Sequence, residues 1–301
     1  MTTYHEPALL SECIDALNIQ PDGVYVDVTF GGGGHSREIL KHLGKNGKLI
    51  SFDQDEDAVQ NAIDDPRFVL VRQNYRFLKK FLRYYKVIPV SGILADLGIS
   101  SYQIDEASRG FSTRFDAELD MRMNRSSKVT AASILNSYSE DKLVKIFSQY
   151  GEVFNAKTLA KKIVDFRKGE KFKTIDQFKS AVDTCVDKKT ESQYFAKVFQ
   201  ALRIEVNQEL ESLKEMLMQS KEVLTTGGRL VVLSYHSLED RLVKNIVAKG
   251  MFEGEVEKDV FGNTKDNPFK AINRKPIEAT QEEIARNPRS RSAKLRIAEK
   301  N

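Results

Sequence analysis

The sequence predicts an α/β fold, a parallel sheet interrupted by an inserted all-helical domain, and three observations predict it. Short apolar runs alternate with helical patterns over about the first hundred residues. From about Ile104 to Ile204 no strand pattern occurs, and the alternation then resumes. Strands separated by helical segments imply right-handed βαβ units and a parallel sheet covered on both faces.

Val24–Val28 reads as the first strand, followed by a glycine loop and a helix from about His35 to Leu43. Lys48–Phe52 is the second strand, before a helix across Asp55–Ile63. Phe68–Val71 is the third, before a helix over about Phe77–Tyr85, and Gly92–Asp96 is the fourth. Helical patterns then follow without interruption: Ala131–Leu135, Ser139–Tyr150 with Ser139 as N-cap, Lys157–Arg167, Ile175–Val186 and a long stretch from near Glu191. A helix over Asn207–Leu224 leads through Thr226-Gly227-Gly228 into a strand at Arg229–Ser234. Ala271–Pro276 and Ala293–Ala298 are expected to form a final strand pair, beyond a polar loop around Gly262–Asn267. The domain reading is therefore a discontinuous α/β domain, 1–104 with 206–301, around a helical insert at 105–205.

With 301 residues and 41% apolar content the chain has enough material for a real core in each of two domains. No apolar run approaches the ~18–20 residues that cross a bilayer, and the first residues lack the pattern of a signal or transit peptide. The expectation is a soluble, cytoplasmic protein with no membrane partner. Cys13 and Cys185 lie far apart and read as small buried hydrophobes. The four histidines are scattered without metal-ligand spacing, so no metal site is expected. Net charge is 47 − 43 = +4, and its distribution matters more than its size. Lys157–Lys173 holds seven basic residues against two acidic ones, and Arg286, Arg289, Arg291, Lys294 and Arg296 follow near the C-terminus. Either run alone suits a solvated helix face. Two such patches beside a nucleotide-type site favour a polyanionic partner.

That site is read from Asp27-Val28-Thr29-Phe30-Gly31-Gly32-Gly33-Gly34-His35-Ser36. Consecutive glycines directly after a strand let the backbone turn sharply and approach a ligand, and the next helix offers unpaired N–H groups to an anion. The dinucleotide fingerprint G-x-G-x-x-G fails, because its last glycine falls on Ser36 or Arg37. The stretch fits better the D-x-G-x-G-x-G loop of class I (Rossmann-like) methyltransferases, with Thr29 in place of the first glycine. Asp53 lies 19 residues after Gly34, where a carboxylate suits both hydroxyls of an adenosine ribose; Asp55 or Asp57 then caps the following helix. Tyr75 and Asp96 follow or end the third and fourth strands, whose C-terminal ends converge on the ligand crevice of an open parallel sheet.

With these segments in view the chain closely resembles the MraW (RsmH) family, the bacterial 16S rRNA cytosine-N4 methyltransferases. The likeness rests on His5–Glu12, on the loop through Gly33–Ser36, on Asp96–Ser101, Arg109–Ser112, Leu119–Met123 and Tyr150–Glu152, and on Phe199–Ile204, Ser234–Arg241 and Asn287–Ser292. The resemblance implies S-adenosylmethionine as cofactor, held by Gly33, Gly34, His35, Asp53, Tyr75, Asp96 and Gln103; the glycine loop adds Gly31. It also implies an inserted helical domain and a cytosine of the ribosomal decoding centre, within the small subunit, as substrate. Departures are mild: Tyr235 stands where the family usually has Phe, Ala117-Glu118 where it has Gly-Pro, Tyr102 in place of Pro or His, and Tyr75 in place of Phe.

A cytosine amino group is a poor nucleophile, so the protein must align it and offer acceptors to its hydrogens. The (D/N/S)PP(Y/F) motif of many amino methyltransferases is absent after the fourth strand. Ser100, Tyr235 and His236 are the candidate catalytic side chains, Ser100 or a nearby backbone carbonyl accepting from the amine and Tyr235 or His236 touching the base. The rival readings are an NAD-linked dehydrogenase, a methyltransferase for another RNA amino group or a small molecule, and a non-catalytic RNA-binding assembly factor. Oligomeric state stays open, with a homodimer among the alternatives.

Overall fold

The computed structural model describes residues 7–254 and 267–301. His5 and Glu6 of the first family-like segment, and Gly262–Asp266 of the polar loop, lie outside the described residues. The chain divides into two compact units, 1–98 with 210–301, and 99–209.

In the first unit β1 (Val24–Asp27), β2 (Lys48–Phe52), β3 (Phe68–Val71), β4 (Val90–Asp96) and β5 (Leu224–Ser234) run parallel. β6 (Phe269–Ala271) and β7 (Ile277–Glu278) each pair antiparallel with β8 (Lys294–Lys300), which is itself antiparallel to β5. The order is β3-β2-β1-β4-β5-β8-β6, with β7 also on β8. Successive residues of a strand point to opposite faces, and here both faces are apolar. Val26, Ile50, Ile93 and Val232 enter one buried cluster, while Tyr25, Leu49, Leu94 and Val231 enter the other. The second face is covered by α1 (Leu10–Leu17) and α2 (Gly34–His42) through Cys13, Leu17, Ile39 and Leu40. The first is covered by α3 (Leu78–Tyr84), α10 (Glu209–Val223) and α11 (Ser237–Lys249) through Leu78, Leu213, Met216, Val243 and Ile246. Strand order reverses between β1 and β4, which is where an open parallel sheet leaves a ligand crevice at its C-terminal edge. This is the α/β architecture the sequence predicts.

Several elements differ from expectation. The helix across Asp55–Ile63 is a short 3-10 helix, Glu56–Asn61, capped by Asp55, whose carboxylate accepts from Asp57 N. Ala271–Pro276 is not a strand. The ladder on β8 stops after Ala271 and restarts at Ile277, because Pro276 has no N–H to give and Asn273 takes over the pairing with its side chain. Asn273 Nδ2 donates to Leu295 O at 2.9 Å and its Oδ1 accepts from Ile297 N at 2.8 Å. Arg296 is buried and forks onto Asp240 at 2.6 and 3.0 Å, so it belongs to the fold and not to a phosphate-binding surface.

The second unit is helical: after α4 (Ser101–Asp105), the helices α5 (Ala131–Ser137), α6 (Glu140–Gln149), α7 (Ala156–Phe166), α8 (Ile175–Ala181) and α9 (Glu191–Asn207) surround one apolar cluster that includes Leu135, Phe147, Leu159, Phe178 and Leu202. Its β pairing among described residues is a single bridge, Glu118 to Thr174. The helix expected over Ile175–Val186 ends at Ala181 and continues as a 3-10 turn, where Asn155 Nδ2 donates to Cys185 O at 2.9 Å. The family-like segments Arg109–Ser112 and Leu119–Met123 meet here. Buried Arg109 donates to the carbonyls of Arg122 and Met123, and Asn207 Oδ1 accepts from Met123 N at 2.7 Å. α12 (Gln281–Arg286) completes the first unit.

Candidate active site

β1 ends on Asp27, which is 1% exposed. A buried carboxylate needs donors. Ser36 Oγ donates to Asp27 Oδ2 at 2.6 Å, Thr29 N donates to Oδ1 at 3.0 Å, and Ser36 Oγ lies 2.8 Å from Ser51 Oγ of β2. Burial still pushes the Asp27 carboxyl above its ordinary range. Thr29 carries a second tie, its hydroxyl accepting from Asp96 N at 2.6 Å, so the residue replacing the first glycine fixes the loop to β4.

The glycine loop turns through left-handed residues at Gly31 (φ 50°) and Gly33 (φ 76°), conformations that glycine adopts without a Cβ penalty. Gly31 N donates to Asp53 Oδ2 at 2.7 Å, and Asp53 Oδ1 accepts from Asp55 N at 2.8 Å. Asp53 is thus turned towards the loop, and its carboxyl is pushed up to about 6, chiefly by burial. Asn61 Nδ2 donates to Gly31 O at 3.1 Å, and Arg37 donates to Gly32 O and Asn61 O at 2.6 and 3.0 Å. These two side chains brace the loop from the 3-10 helix and from α2. At Gly34 the close neighbour is protein, since a Cβ there would lie 2.3 Å from Pro7 Cγ.

Asp96 ends β4. Its Oδ1 accepts from the Tyr235 hydroxyl at 2.6 Å, and its Oδ2 lies 3.7 Å from His35 Nδ1. Burial pushes Asp96 up to about 7, with the Tyr235 hydrogen bond opposing and the Glu239 charge adding to the rise. His35, buried at the start of α2, is driven by desolvation towards its neutral form. Tyr75 follows β3 in a 3-10 turn, Tyr75–Phe77, packed against the sheet cluster. His236 caps α11: its Nδ1 accepts from Glu239 N at 3.4 Å, while Glu239 Oε2 accepts from Tyr235 N at 2.9 Å.

Of the candidates read from sequence, the first unit joins Gly31 to Asp53 and joins Asp96 to His35 and Tyr235, and it also carries Gly33, Gly34, Tyr75 and His236. Ser100 and Gln103 belong to the second unit, where they form the capping box of α4: Ser100 Oγ accepts from Gln103 N at 3.2 Å and Gln103 Oε1 accepts from Ser100 N at 3.0 Å. Sequence reasoning read the loop from Asp27 onwards but missed the parts played by Thr29, Ser36, Arg37, Ser51, Asn61 and Glu239. Asp27 ends an apolar strand just as Asp96 does, and that signal was readable; the hydroxyls and Asn61 carry none.

Asp27, Asp53 and Asp96 stand at the ends of neighbouring strands, all with carboxyls raised by burial, beside a neutral histidine. Such a set favours a ligand that carries positive charge and hydroxyl donors. S-adenosylmethionine, with its sulfonium, ammonium and ribose, fits that requirement.

Comparison with known proteins agrees. Ribosomal RNA small subunit methyltransferase H of Bacteroides fragilis (strain YCH46) is 57% identical over 299 residues, covering 99% of this chain and 98% of that one. The protein of the same name from Flavobacterium johnsoniae is 55% identical over 303 residues, covering all of both chains. Among solved structures, an rRNA methylase from Streptococcus thermophilus aligns over 97% of this chain and 93% of its own, with 11% identity and a TM-score of 0.41. The MraW methylase family matches residues 2–301, and the chain belongs to that family of S-adenosylmethionine-dependent methyltransferases.

Proposed function

We propose that this protein methylates N4 of a cytosine in the decoding centre of 16S rRNA, within the small ribosomal subunit. The observation that carries the reading is the group of acids at the switch point, Asp53 and Asp96 with carboxyls raised by desolvation, in a chain more than half identical, end to end, to proteins named for methylating small-subunit ribosomal RNA. The base and atom come from the motif resemblance. Residues 1–104 and 206–301 act as the methyltransferase domain, and 105–205 as the insert that meets RNA.

When bound, the sulfonium of S-adenosylmethionine supplies an electrophilic methyl group. Asp53 would accept from the ribose hydroxyls, Gly31, Gly33 and Gly34 would give the loop its turn, and Tyr75 would flank the adenine. His35 and Asp96 would complete the cofactor set of this unit. Asp53 is suited to its part because its oxygens, each already accepting one backbone N–H, keep further acceptor capacity. The target nitrogen must be brought in line at about 3–3.5 Å from the methyl carbon. Ser100 is the proposed acceptor for an amine hydrogen, and His236 the proposed contact to the base. A base within structured RNA must first be unstacked, at about a few kcal/mol, and phosphate contacts from exposed Lys157, Lys161 and Lys162 on α7 offset that cost.

Transfer of labelled methyl from S-adenosylmethionine to small subunits isolated from cells lacking this enzyme tests the proposal. Label recovered in cytosine of 16S rRNA is expected. Label confined to another base, or failure to label subunits while the protein binds the cofactor, overturns it.

A further inference from the structure

Tyr235 is held from both ends. Its N–H donates to the buried Glu239 carboxylate at 2.9 Å, and its ring lies over Gly98, where a Cβ would be 3.6 Å from Tyr235 Cδ2. Asp96 is registered opposite Leu233 on the neighbouring strand, and Tyr235, two residues further along, returns to the same side. The result is a phenol fixed 2.6 Å from Asp96 Oδ1. Oδ2 of the same carboxylate is at 3.7 Å from the nearest histidine nitrogen, beyond hydrogen-bond reach.

The titratable groups facing Asp96 come from every element around it: Cys13 of α1, Asp27 of β1, His35 of α2, and Glu239 of α11. Glu239 opposes ionisation of Asp96, Asp96 opposes that of Asp27, and His35 is driven neutral. The Tyr235 hydrogen bond works the other way, favouring the carboxylate. A tyrosine hydroxyl committed in this manner is not poised to take a proton from a methyl acceptor.

We infer that Tyr235 is a positioning residue for the methyl donor: its hydroxyl fixes the orientation of Asp96, so that Oδ2 receives the ammonium group of S-adenosylmethionine. The inference rests on the proposed cofactor role of Asp96. Tyr235→Phe keeps the ring on Gly98 and removes only the donor. Asp96 then protonates at higher pH, and a protonated Asp96 attracts an ammonium less. The loss is largest near neutrality and closes as alkaline pH ionises Asp96 in both proteins.

The test is calorimetric titration with S-adenosylhomocysteine from about pH 6 to pH 9, on wild type, Y235F, D96N and the double variant, with folding checked by circular dichroism. Titration of the ligand's own ammonium is common to all four curves. Y235F is expected to bind about tenfold more weakly at pH 7, the scale of one charge-assisted hydrogen bond, and about equally at pH 9. D96N should bind weakly throughout, and Y235F should add nothing to it. Superimposable curves for wild type and Y235F overturn the inference, as does an undiminished Y235F effect in the D96N background. A fall in kcat with unchanged binding also overturns it, by placing Tyr235 on the methyl acceptor. Failure of wild type to bind at any pH sinks instead the cofactor reading on which the inference rests.

Discussion

Asp53 gives one carboxylate oxygen to Gly31 N and the other to Asp55 N, so it organises the loop and presents charge at the same point. Asp53→Asn keeps the shape and removes the charge. Cofactor affinity is expected to fall about 10- to 100-fold, the range of one or two charge-assisted hydrogen bonds, and calorimetry reads it directly. Asp53 and Asp96, at about 6 and about 7, are both raised above the ordinary carboxylate value in the free protein. A raised carboxyl stabilises the folded state below its unfolded pKa, and that stability is lost as pH rises through the folded value. A cationic ligand reverses the preference. The rise in Tm caused by S-adenosylmethionine should therefore be larger near pH 8 than near pH 5.5, and a larger rise at the acid end contradicts the charge argument. Ser100 and His236 both spend their side chains on helix caps, so Ser100→Ala and His236→Ala should each cost about 1 kcal/mol of stability. If they also serve the reaction, turnover falls more than tenfold with cofactor affinity kept. Full turnover in both leaves capping as their whole role. The acids were legible because an ionisable side chain finishing an apolar strand demands a partner; Thr29, Ser36 and Ser51 were not, because their partners depend on which strands become neighbours.

Among the elements, the strands and the helices that open with Ser, Thr or Asp were readable from period and cap. α1 and α11 were not. α1 starts after Leu9 in a left-handed conformation with no side-chain cap, and α11 is capped by histidine, outside the usual cap residues. The final strand pair failed for another reason: the apolar run ends at Ile272, and Asn273 and Pro276 then divert the ladder. Arg296 on β8 was read as a surface cation, yet it pins α11 to the sheet through Asp240. Removing one partner of a largely buried pair strands the other, so Arg296→Ala should lose about 2–4 kcal/mol in denaturant unfolding with ribosomal RNA affinity otherwise unchanged. A neutral effect contradicts its structural role. On α7 the lysines behave differently: Lys157, Lys161 and Lys162 are exposed while Leu159, Ala160 and Ile163 are buried. Reversing the three lysine charges to Glu should leave stability within about 0.5 kcal/mol. It should weaken RNA binding and lower the slope of log K against log salt by about two or three units. An unchanged slope removes α7 from the RNA surface.

At the scale of the whole molecule, the loss of strand rhythm after the fourth strand exposed the helical insert, because a helical period and a strand period cannot share a sequence. The expected insert was 105–205; the compact helical unit runs from Ile99 to Glu209. Charge distribution pointed to a polyanion without naming it, and no period or spacing encodes which base is methylated. The family match spans residues 2–301 and so covers both units with one family. In the proposed function, acids at the switch point hold the methyl donor for transfer to cytosine N4 of 16S rRNA. Nucleoside mass analysis of 16S rRNA from cells lacking this gene, complemented with wild type or with Asp53→Ala, tests it most directly. The account predicts that an N4-methylated cytidine returns with wild type and stays absent with the variant. Its return with Asp53→Ala, or its presence unchanged in the uncomplemented cells, would contradict the account.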